Sequence, residues 1–195
     1  MARTFCALIL GGGAGVRYGR SKAFATLPGG ESFLARCAAT LAEAGATPVL
    51  ATVPPDTAHT HLPGVRVVVL EAAGMDMLAS LRVGLDEALR FERWDAVVVL
   101  PVDHVLVAPQ SIRQLAAVAC AVAVPVYLGS RGHPVCLSRA TAQGVASGTL
   151  QGRTLREALG AVERTEVAVD DPGVVANCNT PELLIAGLAR VSGRR

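Results

Sequence analysis

Residues 5–10, FCALIL, form an apolar run of strand length, and Gly11, Gly12, Gly13 and Gly15 follow it at once. A strand that empties into consecutive glycines leaves little choice for what comes next. Without side chains, backbone N–H groups turn inward and a ligand can approach the main chain, which suits an anion or a flat base. Arg17, Arg20 and Lys22 then supply the positive charge a polyphosphate needs. The stretch reads as a nucleotide loop; the plainer reading is a tight strand-to-helix turn with solvated cations.

Two common loop templates do not fit. G-x-G-x-x-G fails because its sixth position is Val16 when counted from Gly11 and Tyr18 when counted from Gly13. Walker A fails because the chain has no Gly-Lys-Ser/Thr tripeptide. What remains, L-G-G-G-x-G-x-R-Y-G-x-x-K over residues 10–22, resembles the L-x-x-G-x-x-x-R-M-G-x-x-K signature of nucleotidyltransferases that activate sugars and pterins. Tyr18 stands where that family usually has Met. The resemblance implies that Leu10, Gly11, Gly12 and Gly13 hold base and phosphates, and that Arg17 and Lys22 neutralise the triphosphate.

Composition narrows the class. At 195 residues with 51% hydrophobic, the chain suits one domain, residues 1–195, with a sizeable core. No apolar run reaches the roughly 18 residues of a spanning helix, and no signal-peptide layout opens the chain, so cytoplasm is the expected location. Cys6, Cys37, Cys120, Cys136 and Cys178 are odd in number and lack a C-x-x-C pair, which argues against a disulfide framework or zinc knuckle. A charge of +2 and 4% aromatics offer neither a basic field nor stacking platforms, so neither nucleic acid nor a membrane is an expected partner.

The rest of the chain alternates. Residues 32–44 carry apolar positions near a 3.6 period and stop at Gly45, as a helix does. Residues 48–53 and 65–70 read as strands, so strand, helix, strand points to a parallel sheet. His59 and His61 between prolines read as loop rather than metal ligands. A helix begins near Asp76, with Leu78, Leu81, Leu85 and Leu89 on one face. Residues 95–100 lead from Asp95 through the continuous apolar run Ala96, Val97, Val98, Val99 and Leu100, which suits a central strand buried on both faces. Asp103 falls at its C-terminal end, where open parallel sheets bind ligands and where a carboxylate can hold a Mg²⁺ ion on a nucleotide. Its plainer reading is a cap or turn aspartate. Residues 109–119 read as a helix, 121–127 and 164–169 as strands, and 170–173 as a turn. Thr180 and Pro181 read as the N-cap and first position of a last helix.

Four later segments extend the resemblance. Residues 74–85 resemble the G-M-x-x-S-L-R-x-G-L stretch of molybdenum cofactor cytidylyltransferases through Ser80, Leu81, Arg82, Gly84 and Leu85, although Leu81 and Leu85 read as plain core. Asp103 takes the place of the family's metal-binding aspartate, without the proline two residues on. Arg131-Gly132-His133-Pro134-Val135 is nearly diagnostic of the cytidylyltransferase branch. Asn177-Cys178-Asn179-Thr180-Pro181-Glu182 resembles its closing N-x-N-T-P-E. Gly152 and Arg156 match a further segment only weakly, since its aspartate is absent.

The chain is thus similar to molybdopterin nucleotidyltransferases over nearly its whole length, closest to the cytidylyltransferase branch. The resemblance implies a three-layer α/β/α domain with a mainly parallel, Rossmann-like sheet of the nucleotide-diphospho-sugar transferase type. It implies transfer of a nucleoside monophosphate, CMP from CTP, onto the terminal phosphate of a phosphorylated pterin, and hand-over of the product to a molybdoenzyme. Mg²⁺ would sit on Asp103 with Asn177 or Asn179, Ser80 would border the nucleotide, and His104, His133 and Pro134 would face the acceptor. Gly12 leans the other way, toward a guanylyltransferase. A sugar- or alditol-phosphate nucleotidyltransferase and a silent cofactor carrier are the remaining alternatives.

Overall fold

The computed structural model describes residues 3–12, 22–57 and 61–193. Eight strands form one sheet: β1 (Phe5–Leu10), β2 (Val49–Val53), β3 (Val65–Val69), β4 (Ala96–Pro101), β5 (Val122–Tyr127), β6 (Ser130–Arg131), β7 (Val135–Ser138) and β8 (Arg164–Ala168). Their order is β3-β2-β1-β4-β7-β5-β6, with β8 paired to β5. β1 to β4 are mutually parallel and β8 is parallel to β5, whereas β7 runs antiparallel between β4 and β5.

Strand alternation sorts the core into two layers. Phe5, Ala7 and Ile9 face α1 (Phe33–Glu43), α3 (Pro109–Ala117) and the inner side of α6 (Pro181–Ser192). Cys6, Leu8 and Leu10 face α2 (Met77–Leu89) and α4 (Arg139–Ala146), with the short α5 (Leu155–Ala158) at the margin. A central strand must therefore be apolar at every position, and β1 and β4 are buried throughout. Gly84 lets α2 lie close to β1, because a Cβ there would stand 2.6 Å from the Leu8 methyls. Leu81 and Leu85 are fully buried, as expected of plain core residues. Among the described residues, no helix is long and apolar enough to cross a membrane.

The expected helices and strands of the first half are present, as are the Thr180 cap and Pro181 start of α6. The sequence reading missed β6, β7 and α4. Residues 130–138 form one interrupted arm along β5: β6 pairs with its C-terminal half and β7 with its N-terminal half. Pro134 has no N–H to give a ladder, and the interruption falls on Gly132, His133 and Pro134. The segment 177–179, expected at a strand end, lies in no strand. It follows β8 by way of a 3-10 turn at Pro172–Val175.

Candidate functional site

The C-terminal ends of the parallel strands meet at one edge. Gly11 N donates to Thr52 O at 3.0 Å and Val102 N to Leu10 O at 3.2 Å, which joins the ends of β1, β2 and β4. Above them opens a cleft of about 220 Å³ whose lining includes Leu10, Gly12, Met77, Ser80, Val102 and Asp103. The first turn of α2 bounds it. Asp76 caps that helix, accepting from Ala79 N at 2.9 Å, and the turn leaves N–H groups without intrahelical partners. Ser80 is 3% exposed, and its buried Oγ has no hydrogen-bond partner among the described residues. A buried hydroxyl without a partner costs free energy that a ligand can return.

On the other side of the cleft Asp103 is half-buried, and its main-chain carbonyl accepts from Cys178 N at 2.8 Å. That bond brings residues 177–179 against the end of β4. Cys178 points into the core, and Asn177 and Asn179 line a second cleft of about 320 Å³ beside α6. Asn177 Oδ1 is buried with no hydrogen-bond partner among the described residues. Asp103 and the two asparagines thus flank one backbone hydrogen bond and open into neighbouring clefts. Among the described residues no cluster of three or more His, Cys, Asp or Glu forms a metal site. One carboxylate with amide oxygens is nonetheless a donor set that suits a hard cation, and the unpartnered Asn177 oxygen fits it.

His104 and His133 come together beside Asp103. Their ring centroids lie 4.4 Å apart with planes tilted by 37°. His133 N donates to Val174 O at 2.8 Å. Burial, and then the neighbouring His133, push the His104 imidazole down to about 4, against the opposing pull of Asp103 and a hydrogen bond with the Val174 backbone. Burial lowers His133 as well, again against Asp103. Both rings are uncharged at neutral pH, each with one donor and one acceptor nitrogen. Pro134 is buried next to them.

Other expected contributors lie elsewhere. Gly13, Arg17, Tyr18 and His59 fall outside the described residues; Lys22 opens a 3-10 turn, Lys22–Phe24, and its side chain falls outside too. Arg82 donates from Nε to Val145 O at 3.1 Å and ties α2 to α4, away from the cleft. Arg131 is exposed and bonded to Glu166 at 2.6 Å. Arg156 sits next to the start of β8, where its carbonyl accepts from Arg164, at the opposite end of the sheet from Asp103.

Two residues escaped the sequence reading. Leu70, just past β3, fills the space that a side chain on Gly12 would need. Asp171 is a buried carboxylate accepting from Ala108 N, Ser111 Oγ and Gly173 N, each at 2.8 Å. It clamps the start of α3 to the loop that carries Val174. Its neighbours Asp170, Pro172 and Gly173 signalled only a turn, and its partners on α3 are about sixty residues away in the chain.

A mainly parallel α/β/α sandwich whose strand ends gather glycine backbone, a helix start and a carboxylate defines a nucleotide-handling α/β protein. The MobA-like NTP transferase domain matches residues 7–169, and the chain belongs to that family. It is a nucleotidyltransferase of the MobA-like kind. No curated protein matches the chain at a significant level. Among solved structures, Rv0371c from Mycobacterium tuberculosis H37Rv is similar at 26% identity and TM-score 0.77, over 95% of this chain and 98% of that one. Another structure of that protein, a complex with manganese, matches at 24% identity and TM-score 0.70, over 94% of this chain and 99% of that one. Molybdopterin-guanine dinucleotide biosynthesis protein A from Archaeoglobus fulgidus matches at 16% and TM-score 0.68, over 96% and 98% of the two chains. The 2-C-methyl-D-erythritol 4-phosphate cytidylyltransferase of Thermus thermophilus matches at 18% and TM-score 0.67, over 97% and 100%. Such neighbours have the nucleotide-diphospho-sugar transferase fold, and this chain shares it.

Proposed function

We propose that this chain, acting as one domain in the cytoplasm, transfers CMP from CTP to the terminal phosphate of molybdopterin or its molybdenum-loaded form, and passes the product to a molybdoenzyme. The observation that carries the reading is the meeting of a cleft and a histidine pair at the end of β4. The cleft, lined by Leu10, Gly12, Ser80 and Asp103 among others, suits a nucleotide. The histidine pair beside Asp103, His104 with His133 and the adjoining Pro134, suits an acceptor. Five cysteines, none of them in a disulfide, agree with a reducing compartment.

An acceptor phosphate oxygen attacks the α-phosphorus, a new P–O bond forms, the bond to the β-phosphate oxygen breaks, and pyrophosphate leaves. An ionised phosphate needs no general base, so catalysis is positioning and charge neutralisation. Gly12 and Gly13 would meet the phosphates with backbone N–H groups, Gly11 N being held by Thr52 O, and Arg17 and Lys22 would neutralise the leaving pyrophosphate. Asp103 with Asn177 or Asn179 would hold Mg²⁺, which supplies charge neutralisation at the transferring phosphoryl group. The manganese complex of the Mycobacterium tuberculosis neighbour supports divalent metal use. His104 and His133, kept neutral, orient the acceptor with hydrogen bonds.

The test is pyrophosphate release with Mg²⁺, each of CTP, GTP and ATP, and a pterin or alditol phosphate acceptor. Release with CTP and the pterin alone is expected. The Thermus thermophilus neighbour favours one second reading, a cytidylyltransferase for an alditol phosphate, which release with that acceptor would establish. No release with any pair would leave a cofactor carrier.

A further inference from the structure

We propose that the outward face of α6 is the surface on which a second copy of this chain docks, through an antiparallel pairing of the two α6 helices about Ala186. Along its length from Pro181 to Ser192 this helix buries only Leu184 and Gly187. Leu183 is 48% exposed and Ile185 67%. Glu182, Ile185, Ala186, Ala189 and Arg190, all exposed, fall at i, i+3, i+4, i+7 and i+8, which puts them on one stripe of the helix surface. Apolar side chains fill the middle of the stripe, an acid stands at one end and a base at the other. The solvent side of a helix packed on a core is ordinarily polar, so an apolar centre there marks a surface made to be covered.

The order of the charges says what covers it. Glu182 lies four residues before Ala186 and Arg190 four residues after, about 6 Å along the axis in each direction. In an antiparallel pair with its two-fold axis at Ala186, Glu182 of each copy is level with Arg190 of the other, and the stripe is complementary to itself, as an isologous interface must be. A parallel pair would instead set Glu182 against Glu182 and Arg190 against Arg190. The small side chain at the crossing point lets the two helices approach closely. Leu183, Ala186 and Arg190 also line the 320 Å³ cleft onto which Asn177 and Asn179 open, so the second copy lies over that cleft. A helix about 18 Å long buries less than the roughly 800 Å² per partner of a standard interface, which makes the pair a reversible one that dissociates in the micromolar range. The pairing stands apart from the reaction proposed above and is tested without it.

The test is sedimentation equilibrium of the full chain at low ionic strength, with the mass read against 20.1 kDa for one copy. A monomer–dimer equilibrium is expected between about 1 and about 300 µM protein. Glu182→Arg and Arg190→Glu, each alone, set like charges against each other at both ends of the stripe and should weaken the dimer at least tenfold. Mixed in equal amounts, the two variants should pair with each other about as tightly as the unaltered chain does, because every facing pair between unlike variants is then Arg against Glu. Recovery on mixing cannot come from misfolded chains. A monomer throughout the range overturns the proposal and leaves the face to a different occupant. A dimer that both single variants keep undiminished overturns it as well, since its interface lies elsewhere, and so does a loss that mixing fails to reverse.

Discussion

The imidazoles of His104 and His133 face each other 4.4 Å apart, brought together from the end of β4 and the start of β7. Burial holds both as neutral rings, and their pairing has a cost in acid. The unfolded chain takes up a proton on His104 near its ordinary value of 6.5, while the folded chain resists until about 4. Between those values the unfolded state binds more protons, so stability falls as pH falls from about 6.5 to about 4. His104 alone accounts for up to about 3 kcal/mol of that loss, and His133 adds in the same direction. Urea unfolding at pH 7.5, 6 and 5 should show the decline, and His104→Gln should remove most of it. A flat profile across this range would contradict a neutral buried pair.

Asp103→Asn is expected to cut pyrophosphate release by about a thousandfold or more, because several kcal/mol of charge stabilisation is lost with the carboxylate. The main-chain bond to Cys178 survives the substitution, so the melting temperature should move little. Turnover near the original level with Mg²⁺ would remove Asp103 from the metal site.

The thiols sort by burial. Desolvation pushes Cys6 and Cys136 up to about 12 and Cys178 up to about 11, and raises Cys37 further. Thiolate is the reactive form, so these four should be inert to a disulfide reagent at pH 8 in the native protein. Cys120, half-buried, is the one expected to react. All five should titrate in guanidinium chloride. Rapid native labelling of a second cysteine would show that one layer of the core opens.

Asp171→Ala should destabilise the protein by about 3 kcal/mol, since two backbone donors and one hydroxyl lose a charged acceptor in a buried setting. The loop it anchors presents Val174 O to His133. Acceptor KM should rise in this variant with little change for the triphosphate, which steady-state kinetics in each substrate would separate. Equal effects on both substrates would mean that Asp171 acts on the whole fold.

Leu128 turns the hairpin between β5 and β6 with φ of 46°, a conformation unfavourable for a branched side chain, and it is 82% exposed. Little packing is lost if it is replaced. Leu128→Asn, or Leu128→Gly, should therefore raise stability by about 0.5–1 kcal/mol, seen as a melting temperature higher by roughly 2 °C. A fall would mean that the exposed leucine makes contacts that outweigh its backbone strain.

Much of this arrangement was legible from local pattern. β1, β4 and α2 announce themselves because a strand buried on both faces must be apolar throughout and a helix packed on a sheet repeats near 3.6 residues. Asp103 was placed at the sheet edge by the same reasoning. The antiparallel β7 was not legible: VCLS is short, and nothing local says that it inserts between β4 and β5. Leu70 looked like the last residue of a strand, and only the fold reveals that it stands behind Gly12. The distance from His104 to His133 along the chain hid their contact in the same way. Pattern reading finds elements and strand ends; pairings between distant segments need the structure.

The hydrogen bond from Cys178 N to Asp103 O joins positions far apart in sequence, so a nascent chain can form it only when synthesis is nearly finished. β1 through β4 can pair once the first half of the chain has left the ribosome, so the parallel edge and the carboxylate exist early. The asparagines are made only in the last stretch of synthesis, after every strand of the sheet. A chain halted before Asn177 would contain all eight strands yet lack α6 and the two asparagines proposed as metal ligands.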